Sequence, residues 1–131
     1  MTKTSTPQVP VTTCTRAFAG LPESVSAACA WVAGFVPGSP TADDAALLTS
    51  ELVTNAILHS ASGLPGGQVM VSMRAGDGMV RVDVTDQGAV PPGLTAPRGL
   101  GQGLVLVAAL ADVFGADGPD RWFALRTGGA L

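Results

Sequence analysis

The run Glu51-Leu52-Val53-Thr54-Asn55-Ala56-Ile57-Leu58-His59 decides how the rest of the chain is read. It lies within a helical pattern over about residues 41–60, where Glu51, Asn55 and His59 recur every four positions and so share one stripe. Leu48, Leu52, Ala56 and Ile57 wrap much of the remaining surface, so this helix is expected to be covered on more than one side. A carboxylate and a carboxamide in such a helix need partners, because burying each unsatisfied costs about 1–3 kcal/mol. A hydrated metal ion, a capped loop or another side chain could each supply them.

Upstream, residues 1–10 are polar and proline-containing and read as a mobile tail. Residues 11–18 alternate Val11, Thr13, Thr15 and Ala17 against Thr12, Cys14, Arg16 and Phe18, a strand pattern suited to a sheet edge. Gly20-Leu21-Pro22-Glu23 opens a helix whose apolar face is Val25, Ala28, Cys29, Val32, Phe35 and Val36, and the Pro-Gly-Ser-Pro run at 37–40 ends it. Thr41-Ala42-Asp43-Asp44 resembles a capping box with aspartate in place of glutamate, at the start of the motif helix.

Downstream, residues 68–75 and 79–85 are strands with alternating Val69, Val71, Met73 and Val80, Val82, Val84, joined by the hairpin signal Gly76-Asp77-Gly78. One face of that hairpin must be covered, most economically by the two helices. Residues 86–101 hold four glycines and three prolines without a regular pattern, which suggests a lid over about 87–100. A third helix is expected over 102–111, with Leu104, Val107, Ala108 and Ala111 in register. Val113 and Phe114 read as a short strand, 115–120 as a turn, and 121–126 as a last strand with Trp122 and Ala124 opposite Phe123 and Leu125. Trp122 and Phe123 are read as core residues, and 128–131 as a frayed end.

The 131 residues fit one domain, with 47% hydrophobic and 13% charged residues arguing against disorder outside the termini. A net charge of -3 and a pI near 4.7 oppose direct nucleic-acid binding, which calls for a basic face. Cys14 and Cys29 are too few and too far apart for a metal cluster or redox pair and read as small buried thiols of a reducing compartment. No apolar run approaches the roughly 20 residues that span a bilayer, so a cytoplasmic protein is expected.

Three groups of residues then carry chemistry. Asn55 offers an amide oxygen, a hard ligand of the kind Mg²⁺ prefers, and Glu51 one turn away is able to accept a proton from a hydroxyl or water. Asp86, at a strand end, can accept a hydrogen bond from the exocyclic amino group of adenine, which distinguishes adenine from guanine, while Gly88 lets the chain turn without a Cβ. Gly99-Leu100-Gly101-Gln102-Gly103 permits close backbone approach, and the helix start that follows directs free N–H groups at phosphates, with Arg98 beside it. His59 is the only histidine, so neither a Ser-His-Asp triad nor a histidine-rich metal site is available, and it reads as a polar helix end.

In this order and spacing, Glu51-x-x-x-Asn55, Asp86-x-Gly88 and Gly99-x-Gly101-x-Gly103 resemble the N, G1 and G2 boxes of the GHKL (Bergerat-fold) ATPases and kinases. The closer resemblance, over about residues 11–126, is to the stand-alone RsbW/SpoIIAB-like anti-sigma-factor serine/threonine kinases. It implies an α/β two-layer sandwich, a mixed and mainly antiparallel sheet covered on one face by about three helices. It also implies that ATP and Mg²⁺ are bound, with Asn55 holding the metal and Glu51 acting as general base. Nucleotide contacts are implied for Asn55, Asp86, Gly88, Arg98, Gly99, Gly101, Gln102, Gly103 and Leu104. The implied partners are a sigma factor and a STAS-type anti-anti-sigma protein phosphorylated on serine or threonine, and a homodimer is implied on the same ground alone.

One departure stands out. The resembled family commonly has a Gly-x-Thr element before its last strand, where this chain has Gly118-Pro119-Asp120, and an aspartate near phosphate or adenine would behave differently from threonine. The rival reading is therefore a non-catalytic module that binds ATP or only its protein partner. A two-component histidine kinase would need a helical pair with a phosphorylatable histidine, and a gyrase-like or chaperone-like ATPase a coupled second domain.

Overall fold

Alternating valines at 69, 71, 80, 82 and 84 fold back on one another through the shortest available reversal. In a computed structural model, which describes residues 12–36, 38, 40–93 and 103–127 (103–106 as backbone only), Asp77 and Gly78 both take positive φ, 54° and 72°. That pair of angles suits the right-handed twist of the flanking strands and makes a two-residue hairpin. It joins β2 (Gln68–Gly76) to β3 (Met79–Thr85), whose valines and Met73 are all buried.

Three further strands complete the sheet: β1 (Thr12–Ala19), β4 (Val113–Asp117) and β5 (Asp120–Arg126). The order is β1-β2-β3-β5-β4, and every pairing among the described strands is antiparallel. The expected mainly antiparallel α/β sandwich is thus present, without a parallel pair among these strands. Strand β1 lies at the sheet edge, as its polar alternation suggested.

Helices α1 (Glu23–Ala33), α2 (Thr41–His59) and α3 (Gly103–Leu110) supply the second layer, with α2 packed against both α1 and α3 as well as β2, β3 and β5. This central position explains why α2 buries Ala45, Leu48, Thr49, Leu52, Val53, Ala56 and Ile57, more than one apolar stripe. From α1 the core receives Ala28 and Val32, with Val36 just beyond the helix, while Val25 and Phe35 pack at its margin. Trp31 meets Phe18 and Phe35 edge-on, at centroid distances of 6.0 and 5.3 Å.

Several local expectations are corrected. The capping box at Thr41 does not form: Thr41 is already helical and Pro40 stands at the cap position without a side-chain cap bond. Backbone carbonyls do the work instead, with the Ala42 N–H donating to the Gly38 carbonyl at 3.0 Å and Asp44 N–H to Pro40 at 2.9 Å. Residues 115–117 belong to β4 rather than to a turn, because Gly118 at φ 58° lets the chain reverse within 118–119. Gly115 then lies opposite Trp122, and a Cβ there would sit 2.8 Å from the indole. On α3, Val107 is buried but Ala108 is exposed, one residue's rotation away from the sheet.

Trp122 also departs from the expected core role. Phe123 and Leu125 point to the helices and are buried, whereas Trp122 faces the other side of the sheet, half-buried. There the Arg81 guanidinium lies 4.0 Å above its ring and pairs with Asp83 through contacts of 2.7 and 2.9 Å. Cys14 and Cys29 are free and half-buried, and burial raises the Cys29 thiol against the lowering effect of Ser50. No helix of the described residues is long and apolar enough to cross a membrane.

Candidate functional site

At one end of the sheet a cleft of about 580 Å³ opens between the end of α2, the segment after β3 and the β4–β5 turn. His59, Ser60, Asp86, Gln87, Gly88 and Arg121 line it, with Ala89, Gly118 and Pro119 completing the wall. Its shape depends on how α2 stops. Ser60 Oγ donates to the Ala56 carbonyl at 2.6 Å, closing the helix, and accepts the Ser62 N–H at 3.0 Å to start a single 3-10 turn, Ala61–Gly63.

That turn grips the segment carrying Asp86. Ser62 Oγ accepts the Gln87 N–H at 3.0 Å, and the Ala61 N–H donates to the Gly88 carbonyl at 2.8 Å. From the other side the Asp86 N–H donates to the Pro119 carbonyl at 3.0 Å, and Gln87 Oε1 accepts the Gln68 N–H at 2.7 Å. Gly88 has φ +87°, so the freedom expected of it is used. The Asp86 carboxylate is 11% exposed: Oδ1 accepts the Gly88 N–H at 2.7 Å, and Oδ2 lies 3.4 Å from Arg121 Nη1. A nearly buried acceptor on a rigid turn is suited to reading the edge of a flat, donor-bearing ligand.

Glu51 and Asn55 are half-buried on α2, on the stripe that ends in His59. The helical rise places Asn55 about 6 Å and Glu51 about 12 Å along the axis from His59. They do not line the cleft itself, and the two ion pairs among the described residues leave Glu51 out. His59 is an exposed helix end, as expected, but it also forms part of the cleft wall. Gly103 opens α3 and Leu104 lies in its first turn. Arg98, Gly99, Gly101 and Gln102, and residues 94–100 of the expected lid, lie outside the described residues.

Asp120 does not enter the cleft. In register with Thr85, it faces the side of the sheet away from the helices, where Thr85 Oγ1 donates to its Oδ1 at 3.4 Å. Burial and the adjacent Asp83 carboxylate push its pKa up to about 6, whereas Asp83, itself opposed by burial, is held low by Arg81. Thr127 is buried near the β2–β3 hairpin, its N–H donating to the Gly78 carbonyl at 2.8 Å, far from the cleft end.

Residues 18–121 match the profile of the histidine kinase-like ATPase domain. The chain belongs to that family. The matched span takes in Glu51, Asn55, Asp86, Gly88 and the glycine cluster, and ends on Arg121. Membership in this ATPase domain family implies an ATP site. The anti-sigma F factor of Geobacillus stearothermophilus is 36% identical over 85 residues, which cover 62% of this chain and 58% of that protein. The match therefore spans less than two thirds of that relative's length.

Sequence reasoning missed Ser62, Gln87 and Arg121. The first two act through backbone-directed bonds that carry no sequence pattern. Strand parity puts Arg121 on the helix-facing side of β5 with Phe123 and Leu125, but does not bring it to Asp86.

Proposed function

We propose that this histidine kinase-like ATPase domain is an anti-sigma-type regulator. It binds ATP, holds a sigma factor, and transfers the γ-phosphoryl group to a serine or threonine of a STAS-type anti-anti-sigma protein. The observation that carries the reading is the joint geometry of Asp86 and α2. A near-buried carboxylate on a pinned turn fits the adenine amino group, and the helix bordering the same cleft carries Asn55 and Glu51 at successive turns away from it.

The residues present fit the nucleotide: the cleft has room for a base and ribose, Gly88 exposes backbone, and Asp86 supplies the acceptor. Among the described residues no three His, Cys, Asp or Glu side chains converge, so a metal here would rest on Asn55 and the phosphate oxygens. Mg²⁺ bound there would supply charge neutralisation of the triphosphate. Glu51 takes the proton of the attacking hydroxyl while its oxygen bonds to the γ-phosphorus. The bond from that phosphorus to the bridging oxygen breaks, and ADP leaves with the electron pair. The binding-only alternative drew its main support from Asp120, and the carboxyl of that residue points away from the cleft.

Calorimetry with ATP and Mg²⁺ on the wild type, Asn55→Ala and Asp86→Ala tests the reading. Binding that weakens at least about tenfold in both variants supports it. A folded wild type that ignores millimolar ATP removes it.

A further inference from the structure

The carboxylate that would read the purine is not alone. Arg121 sits second in β5, turned to the helix side by the same parity that buries Phe123 and Leu125, and opposite Val84. Its guanidinium, one third exposed, lines the cleft and reaches Asp86 Oδ2 at 3.4 Å. The Gly88 N–H occupies Oδ1, and Arg121 stands beside the other oxygen, Oδ2. The contact is long and part-exposed, weak enough for a ligand to rearrange.

An isolated aspartate shows a purine only acceptors. It takes the amino hydrogen at position 6 of adenine and repels the carbonyl oxygen at position 6 of guanine. An arginine–aspartate pair shows a donor and an acceptor side by side, and either purine can satisfy both. Adenine gives its amino hydrogen to Asp86 and takes an Arg121 N–H on ring nitrogen N7. Guanine gives its N1–H to Asp86 and takes an Arg121 N–H on its carbonyl oxygen.

We infer that Arg121 is a specificity-determining residue that relaxes the preference of this cleft for adenine, so that GTP competes with ATP. The inference rests on the nucleotide-site reading above. It replaces the adenine selectivity expected from Asp86 alone with a property of the pair.

The test is the ratio of GTP to ATP dissociation constants, by calorimetry with Mg²⁺, for the wild type, Arg121→Met and Arg121→Lys. The two nucleotides share their phosphates, so any general loss of positive charge cancels in the ratio. Met keeps the apolar stem and its packing, and Lys keeps a cationic donor. The expected wild-type ratio is below about tenfold, rising by about tenfold or more in Arg121→Met and staying near wild type in Arg121→Lys. A wild type that rejects GTP by more than about a hundredfold, or a ratio unmoved by Arg121→Met, overturns the inference while leaving the ATP site standing. Failure of the wild type to bind either nucleotide overturns both.

Discussion

Ser62 Oγ accepts the backbone N–H of Gln87 at 3.0 Å, joining the turn after α2 to the residue that follows Asp86. The segment that carries the Asp86 carboxylate is thereby fixed relative to the helix that carries Asn55 and Glu51. Ser62 is fully buried, so no water can replace the bond. Ser62→Ala leaves the Gln87 N–H without its partner and is expected to cost about 1–3 kcal/mol. Urea unfolding reads the loss directly, and ATP affinity should fall with it. An unchanged midpoint would show that the Asp86 segment is held by its other bonds alone.

The same turn is also approached closely by two glycines from outside it. A Cβ at Gly67 would collide with the Ser62 and Ala61 backbone carbonyls, and one at Gly20 with the Ser62 carbonyl. Neither obstacle is a flexible side-chain end. Gly67→Ala is expected to destabilise by about 2 kcal/mol or more, through displaced backbone. Gly66→Ala is the control: φ is +80° but nothing lies within 4 Å, so only conformational strain of about 1 kcal/mol applies. Equal melting temperatures for the two variants would remove the close-approach argument.

The sequence was most legible where one physical rule acts alone. Alternation in β2 and β3, the Asp77-Gly78 reversal and the apolar stripes of α1 and α2 all translate directly into burial. Rules in competition were less legible. Thr41 has cap chemistry, but the preceding turn already satisfies the first N–H groups, so the helix starts one residue early. Trp122 has core chemistry, but strand parity turns it to the open face, where Arg81 covers it. Of the residues singled out by spacing, Asp86 and Gly88 line the cleft, whereas Asn55 lies on α2 outside its wall. Arg121 meets Asp86, 35 residues away in sequence, only because β5 pairs with β3, which no local pattern reports.

Asp120 and Asp83 make the open face of the sheet sensitive to pH. Facing Asp120 are Asp83, Thr85 and Arg81, with Asp117 in register on β4. Its folded pKa of about 6 lies above the ordinary 3.8, so the folded state holds a proton that the unfolded chain releases. Its contribution is therefore full below about pH 4 and is lost as pH rises through about 6. Asp120→Asn removes that loss. The variant is expected to be more stable than wild type at pH 7.5 by about 1 kcal/mol after allowing for solvent screening, with no gain at pH 4. Thermal melts at both pH values decide it, and a gain of the same size at both would assign the effect to something other than ionisation.

Glu51 and Asn55 should separate in their effects, because their proposed tasks differ. Asn55 is one turn nearer the cleft and is assigned to the bound phosphates through the metal. Glu51 lies a further turn along, half-buried and outside the cleft wall. Glu51→Gln keeps the side chain's size and hydrogen bonding but cannot take up a proton at neutral pH. Its ATP affinity is expected to stay within about threefold of wild type, while phosphoryl transfer to a STAS-type protein falls about 10²–10⁴-fold. Asn55→Ala should lose binding itself. Single-turnover transfer with labelled ATP, alongside calorimetry, distinguishes the two. Transfer at the wild-type rate by Glu51→Gln would rule it out as the base and leave the carboxylate a structural role on α2.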